Sequence, residues 1–434
     1  MRIFTRGITV FLGLAASGLL VSEAQAVPAF ARQTGMACTS CHAQNFPAIN
    51  SFGRVFKAQG YTMRGAAPLV EGDELSIPAE LKASVIAKVR YQVQEDDDRG
   101  EIQWPDEAAL LVGGRAAEKV GFLMELGLGP QEAAVDTGTG SLTCTNPADA
   151  TTCVADTGTG EGEGGTNFLS AKFHFNVTND IAAVLFATDG LSVGYGFELL
   201  NTGAHRSQRP IENRDMSAYS FMRQGSTNTS KQGLGTGAAT GLALVYHKAD
   251  YYVNYTHWAP TFGNVDANLL GGLGHFVRAA YMPNIGGWDT GFAFQYQDGS
   301  IDVGETDPAA TVHFSGWGVD AQAQGTVGTM PLGLYASYAV APKSSTSESN
   351  RYNSSTTDDL SSLGMVAKLG VMPNKMIVYA GYASVSDAVA ANDRADTTVG
   401  LQYMAAQNIN FEVYNVSSDK DGADYYMLQM FAAF

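Results

Sequence analysis

Two cysteines and a histidine make the most reactive constellation in the chain: Cys38-Thr39-Ser40-Cys41-His42. Two thiols three positions apart with an imidazole directly after the second fit covalent attachment of one c-type haem. The thiols add across the porphyrin vinyl groups, and His42 binds the iron from one side. Zinc is the competing metal reading, but a closed zinc site needs about four ligands and this segment offers three, two of them adjacent. A disulfide between Cys38 and Cys41 is the plain alternative in an oxidising compartment. For the opposite face of the iron the candidates are Met63 first, then Met36, with His174 further off. A thioether there would raise the haem potential relative to a second imidazole.

Something must hold these residues. Asn45 and Pro47 suit a helix start, Ile49, Phe52 and Phe56 fall at core-facing spacing, and Gly60 suits the stop. Arg32, Arg54 and Lys57 are the cations available to haem propionates. The other two thiols, Cys144 and Cys153, lie in a stretch rich in Gly, Thr and Asp and read as a loop-closing disulfide.

Upstream, Arg2 and Arg6, an apolar run from Ile8 to Val21 and Ala24-Gln25-Ala26 read as a secretory signal peptide over residues 1–26. No later stretch is apolar for the ~20 residues a spanning helix needs. From Glu80 onward a different pattern rules. Leu81, Ala83, Val85, Ala87, Val89, Tyr91 and Val93 alternate with Lys82, Ser84, Lys88, Arg90, Gln92 and Gln94, with Ile86 the exception. Such alternation gives a strand one apolar and one wet face. It returns at Leu169, Ala171, Phe173, Phe175 and Val177, set against Ser170, Lys172, His174 and Asn176.

The links between such segments alternate in length. Short ones fall at Ala117–Lys119, Thr178–Asp180, Lys248–Ala249, Asn284–Gly287, Val327–Thr329, Pro373–Lys375 and Ala406–Gln407. Long polar ones lie between, among them Glu95–Pro105, Pro130–Gly165, Gly190–Gly235, Pro260–Gly271 and Lys343–Asp359. Short turns at one rim and long loops at the other are the habit of outer-membrane barrels. The pattern therefore predicts an all-β transmembrane barrel of about sixteen antiparallel strands over 79–434, with Lys82, Lys88, Arg90, Lys172 and His174 lining a wet lumen. A small α-helical c-type cytochrome domain with its linker is expected ahead of it, over 27–78. The final alternation through Tyr426, Leu428, Met430 and Ala432 to Phe434 resembles the assembly signal of such barrels.

The stretch from Pro28 to Met63 resembles the N-terminal signature of the fused outer-membrane monohaem cytochrome-porins, the family that contains bacterial ferrous-iron oxidases. The matching residues are Pro28, Phe30, Ala31, Arg32, Gln33, Thr34 and Gly35 before the haem motif. After it come Pro47, Phe52, Gly53, Arg54, Phe56, Lys57, Gly60, Tyr61 and Thr62. The resemblance implies a haem seated at or inside the barrel's periplasmic mouth. It implies an extracellular donor, Fe(II) foremost, and a periplasmic c-type cytochrome or similar acceptor, with outer-membrane lipid around the barrel and no nucleic-acid partner. Ferrous-iron oxidation is the reaction it carries. The alternative is a solute porin whose haem domain is a plug or sensor.

Charge adds one expectation. The formal net charge is -17, with acidic groups at Glu95-Asp96-Asp97-Asp98, Asp106-Glu107, Glu161 and Glu163 placed in outer loops. There they would draw cations toward the mouth by steering rather than by a rigid site.

Overall fold

The computed structural model describes residues 28–434 except 66–67, 74, 95–99, 129–141, 145–152, 156–166, 205–208, 212–215, 226–232, 264–272, 303–310, 346–348 and 388–391. Sixteen long strands close into an antiparallel ring. In chain order these are β1 (Ala83–Gln94), β2 (Glu101–Ala117), β3 (Val120–Gly127), β4 (Asn167–Asn176), β5 (Ile181–Thr188), β6 (Ala239–His247), β7 (Tyr251–Ala259) and β8 (Gly274–Tyr281). They continue as β9 (Trp288–Asp302), β10 (Thr311–Val327), β11 (Met330–Ala341), β12 (Leu360–Met372), β13 (Met376–Ser386), β14 (Arg394–Ala406), β15 (Ile409–Ser418) and β16 (Tyr425–Ala433). Each pairs with its sequence neighbours, and β16 closes on β1. Phe434 extends that seam, donating its N–H to Val85 O at 2.9 Å and accepting from Val85 N at 2.6 Å. A closed ring has no unpaired edge, which is the condition for placing a sheet in lipid.

The alternation read from the sequence sets the wall. Leu81, Tyr91, Phe173, Phe175 and Val177 point outward and are exposed, whereas Lys82, Ser84, Lys88, Ser170, Lys172 and His174 point inward and are buried. Ile86, which breaks the pattern, faces inward for a reason: it packs with Phe431, Phe46 and Leu111. One boundary shifts. β2 begins at Glu101, so Asp106 and Glu107 belong to the wall rather than to an outer loop, and they pair with Arg90 (2.7 Å) and Lys88. The register shift between Lys88 and Arg90 on β1 accompanies this pairing. Glu95 to Asp98, Glu161 and Glu163 lie outside the described residues, as does the signal segment 1–26.

The lumen is filled rather than open at two levels. At the short-turn end sits the segment 28–65, and in place of a separate helical domain it holds two short helices, α1 (Pro28–Thr34) and α2 (Ser51–Ala58), with a 3-10 turn over Cys38–Ser40 between them. A two-stranded hairpin, Leu69–Gly72 with Leu75–Pro78, connects it to the barrel. Deeper in, the connection between β5 and β6 folds inward instead of outward. Within it lies α3 (Ala218–Gly225), packed on β11, β12 and β13. Tyr195, Phe197, Leu199, Leu200, Tyr219 and Phe221 of this connection are among the most buried side chains of the chain. Outside the ring, the backbone of strand 142–144 pairs with that of 153–155, and Cys144 stands opposite Cys153 in register.

Candidate functional site

The Cys-Thr-Ser-Cys-His run is held by its own backbone, by Asn50 and, from the barrel, by Gln407. Cys41 N and His42 N both donate to Cys38 O, at 3.0 and 2.9 Å, winding a tight turn that carries both thiols. Asn50 caps α2 by accepting from Gly53 N at 3.0 Å, and its amide nitrogen reaches back to Ser40 O at 3.1 Å and to Thr39 O and His42 O at 3.4 Å. Asn50 N also donates to Cys41 O at 2.9 Å. The helix therefore lies directly on the turn, and a Cβ at Gly53 would come within 2.2 Å of Cys41 O. No disulfide joins Cys38 to Cys41.

The His42 ring is tethered through one of its two nitrogens. Its Nδ1 lies 3.2 Å from Ala48 O, so the ring proton is spent on that carbonyl and Nε2 is left with its lone pair. Desolvation lowers its pKa to about 4, keeping the imidazole neutral. The residues fit a covalently held haem: two thiols on one turn and a neutral nitrogen donor beside them.

A cavity of about 260 Å³ adjoins the motif, bounded by Ala43, Gln44, Asn50, Ser51 and Phe52 on the plug and by Asp289, Gln324 and the Pro331–Gly333 edge of the barrel. Three residues of its lining carry a buried polar atom without a hydrogen bond: Gln44 Oε1, Asp289 Oδ2 and Gln324 Oε1. Unmet acceptors of this kind signal a polar occupant or water.

The other expected residues distribute as follows. Met63 has its backbone oxygen held by Gln33 Nε2 at 3.0 Å, and the same amide binds Tyr61 O at 2.6 Å. That places Met63 beside the end of α1, from which the chain runs through Met36 to Cys38. His174 is not brought to the motif. It packs on Gly60, at the opposite end of α2 from Asn50, where a Cβ would stand 2.4 Å from its ring. An eight-residue helix is about 12 Å long, too far for both imidazoles to share one iron. Arg54 is committed to Asp289 of β9, and Arg32 donates to Ala83 O at 2.6 Å. Desolvation lowers the pKa of Lys57 to about 7, with Glu198 opposing.

Plug and wall are joined by directional contacts. Gln407, in a short turn, accepts from Cys38 N at 2.9 Å. Asn45 bridges Gln402 (2.9 Å) and Lys368 (3.0 Å), and Phe46 stacks on Phe431 with ring centres 5.2 Å apart. Arg115 donates to Thr62 O at 3.2 Å. Within the plug, Phe30 stacks on Tyr61 at 4.8 Å and meets Phe56 edge-on at 5.2 Å.

The inward connection is anchored by a cluster that sequence reading missed. Arg278 of β8 is fully buried and makes a two-pronged pair with Asp320 of β10, at 2.7 and 2.9 Å, while Nε binds Glu198 of the connection. Tyr252 donates to Glu198 at 2.8 Å, and Thr202 and Tyr219 of the connection donate to Asp320 at 2.5 and 2.9 Å. Lys172 joins all three layers: its amine donates to Tyr195 O at 3.1 Å and lies 5.8 Å from the ring centre of Tyr61. The available signal was the apolar run Val193 to Leu200 enclosing Glu198, out of place in a solvated loop.

No family model matches the chain, and neither does any curated protein. Solved structures do. Pseudomonas putida OprB at high pH aligns with a TM-score of 0.51 at 11% identity, over 82% of this chain and 94% of that one. The fold is that of a porin-like barrel, and it points to the outer membrane. Salmonella typhi OmpF in complex with daunomycin (TM-score 0.48, 10% identity, 85% of this chain and 100% of that one) also aligns. So does a triple mutant of the Rhodopseudomonas blastica porin (0.47, 12%, 82% and 100%). At such identities the likeness speaks for the barrel alone. Among the described residues, no three His, Cys, Asp or Glu side chains are close enough to enclose a metal ion.

Proposed function

We propose that this chain is an outer-membrane electron-transfer protein, a plugged porin-like barrel whose plug carries one haem c. Cys38 and Cys41 would hold the haem covalently, and His42 and Met63 would be the side chains that supply donors to its iron. The bound haem would supply a one-electron iron couple. The protein's own part is to seat that centre in the short-turn mouth, which bacterial barrels turn to the periplasm. The donor is extracellular, Fe(II) by the family resemblance, and the acceptor a periplasmic carrier.

The observation that carries this reading is the motif's place: a cysteine pair and a neutral, correctly tethered imidazole in the mouth of a lumen stoppered at a second level by fully buried Arg278 and Glu198. A filled lumen is a poor path for solutes and a serviceable one for electrons. The likeness to porins, taken alone, favours the second reading, a solute porin with a haem-bearing plug, and lends nothing to electron transfer.

Purified protein in liposomes separates the two. The conduit reduces its haem when Fe(II) is added outside and leaves sugars excluded. The porin swells the liposomes in sugar solution, and its haem ignores iron. Absence of tetrapyrrole absorption in denatured protein would reject both.

A further inference from the structure

Three of the chain's seven histidines stand together on the outer wall, far from the motif. Register places them. One row across four strands reads Tyr255, Val277, Tyr296, Trp317, the outward-facing edge of the lipid band. Two residues further toward the long loops the same strands read His257, His275, Asp298, Ser315, and His313 follows opposite Ser300. Side chains at i and i+2 share a face, so this second row also looks outward, at the level of lipid headgroups beyond the aromatic row.

We infer that His257 and His275 form a cross-strand clamp for a borderline divalent metal ion such as Fe(II), Ni(II) or Zn(II), on the outer rim. Their ring centres are 5.1 Å apart, a separation from which two imidazole nitrogens reach one ion by rotamer adjustment. His275 is tethered for the task. Its Nδ1 lies 2.7 Å from the Tyr255 hydroxyl, and with Nδ1–H donating to that oxygen, Nε2 is free to ligate. Asp298, the register partner of His275, brings negative charge to the row and lies 3.6 Å from His313 Nε2. That carboxylate selects against a lipid phosphate, the other ligand that headgroup-level histidines would attract. Imidazole donors beside one carboxylate suit transition metals rather than Ca(II) or Mg(II). The clamp is an open site whose remaining positions water would fill; among the described residues no group of three such side chains encloses a metal ion. It is independent of the haem reading.

The test is equilibrium titration of the full-length protein, purified without a polyhistidine tag in detergent, with Ni(II) and with anaerobic Fe(II) against a chromogenic chelator. The unmodified protein is expected to show one saturable site that Mg(II) does not displace. His275→Gln and His257→Gln should each weaken it at least tenfold, and Tyr255→Phe, which frees the ring to turn, by about tenfold. His313→Gln should change it less than threefold. Retention of the closed barrel is checked by far-UV circular dichroism and by the heat-dependent gel shift of the barrel. Unchanged affinity in folded His275→Gln and His257→Gln overturns the inference, as does a site lost instead when Cys38 and Cys41 are alkylated. Binding of phosphate-bearing lipid vesicles that depends on His275 would assign the row to headgroups and overturn the metal reading.

Discussion

Two pieces of chain fill the same barrel by different means. The plug, residues 28–65, is held largely by neutral hydrogen bonds and stacked rings, with Arg54–Asp289 as its buried ion pair to the wall. The β5–β6 connection is held by a charge cluster in which one guanidinium is shared between Glu198 and Asp320. Burial keeps the His42 ring unprotonated, and the charge of Lys368 works in the same direction. An ionic mounting fixes a single position for a loop that must not drift. On the proposed function the plug carries the reactive group, while the connection keeps the lumen closed.

The first way to break this comparison is to remove the chemistry. Cys38→Ala with Cys41→Ala should abolish covalent tetrapyrrole completely, read as loss of haem staining in denaturing gels, while the barrel still folds. Covalent haem surviving that change would strip the plug of its assigned role. The second is to remove the lock. Arg278→Met leaves two carboxylates buried without their cation, a loss of about 3–5 kcal/mol. It should lower the thermal midpoint, expose the β5–β6 connection to proteolysis and raise single-channel conductance in planar bilayers. Conductance equal to that of the unaltered protein would mean that the connection is not what closes the lumen.

These two regions were unequally legible in the sequence. Strand alternation, the positions of all seven short turns and the inward set Lys82, Lys88, Lys172 and His174 are local properties, since a pleat sends side chains to alternate faces whatever surrounds it. The turn carrying Cys38, Cys41 and His42 is likewise local. What escaped is long-range. Beyond the apolar run Val193 to Leu200, nothing near Gly190 says that its loop turns inward, because the partners that draw it in, Arg278 and Asp320, come 88 and 130 positions later and reveal themselves only once the ring closes. The same holds for His174, which reads as a lumen residue but packs against the wrong end of α2 to serve the motif. Ile86 looked like an error in a pattern until Phe46 and Phe431 arrived beside it.

A third prediction tests the burial of His42 in the plug. In the haem-free Cys38→Ala/Cys41→Ala protein no iron competes for the ring, and His42 should titrate near 4 rather than its ordinary 6.5 because burial disfavours the imidazolium. Between those values the unfolded chain holds a proton that the folded plug refuses. The stability this contributes is complete above about pH 6.5 and is lost as the pH falls through about 4, by about 3 kcal/mol at most. An NMR titration of His42 giving a value of 6 or higher would show a wet, charge-tolerant site and erase the contrast with the ionic cluster.

The smallest effect concerns the single side chain that couples helix to motif. Asn50→Ala removes the cap on Gly53 N and the links from the amide to Thr39, Ser40 and His42. Loss of an N-cap costs about 1 kcal/mol. Asn50→Asp keeps the cap but replaces the amide donor by an acceptor facing three carbonyl oxygens. If capping alone matters, Asp restores the stability that Ala loses. If the amide's grip on the turn matters, both variants should share an altered haem midpoint potential while only Ala loses the cap's share of stability. Equal potentials in all three proteins would mean that the Asn50 side chain is dispensable to the turn, and that the backbone bonds to Cys38 O and Cys41 O hold its shape.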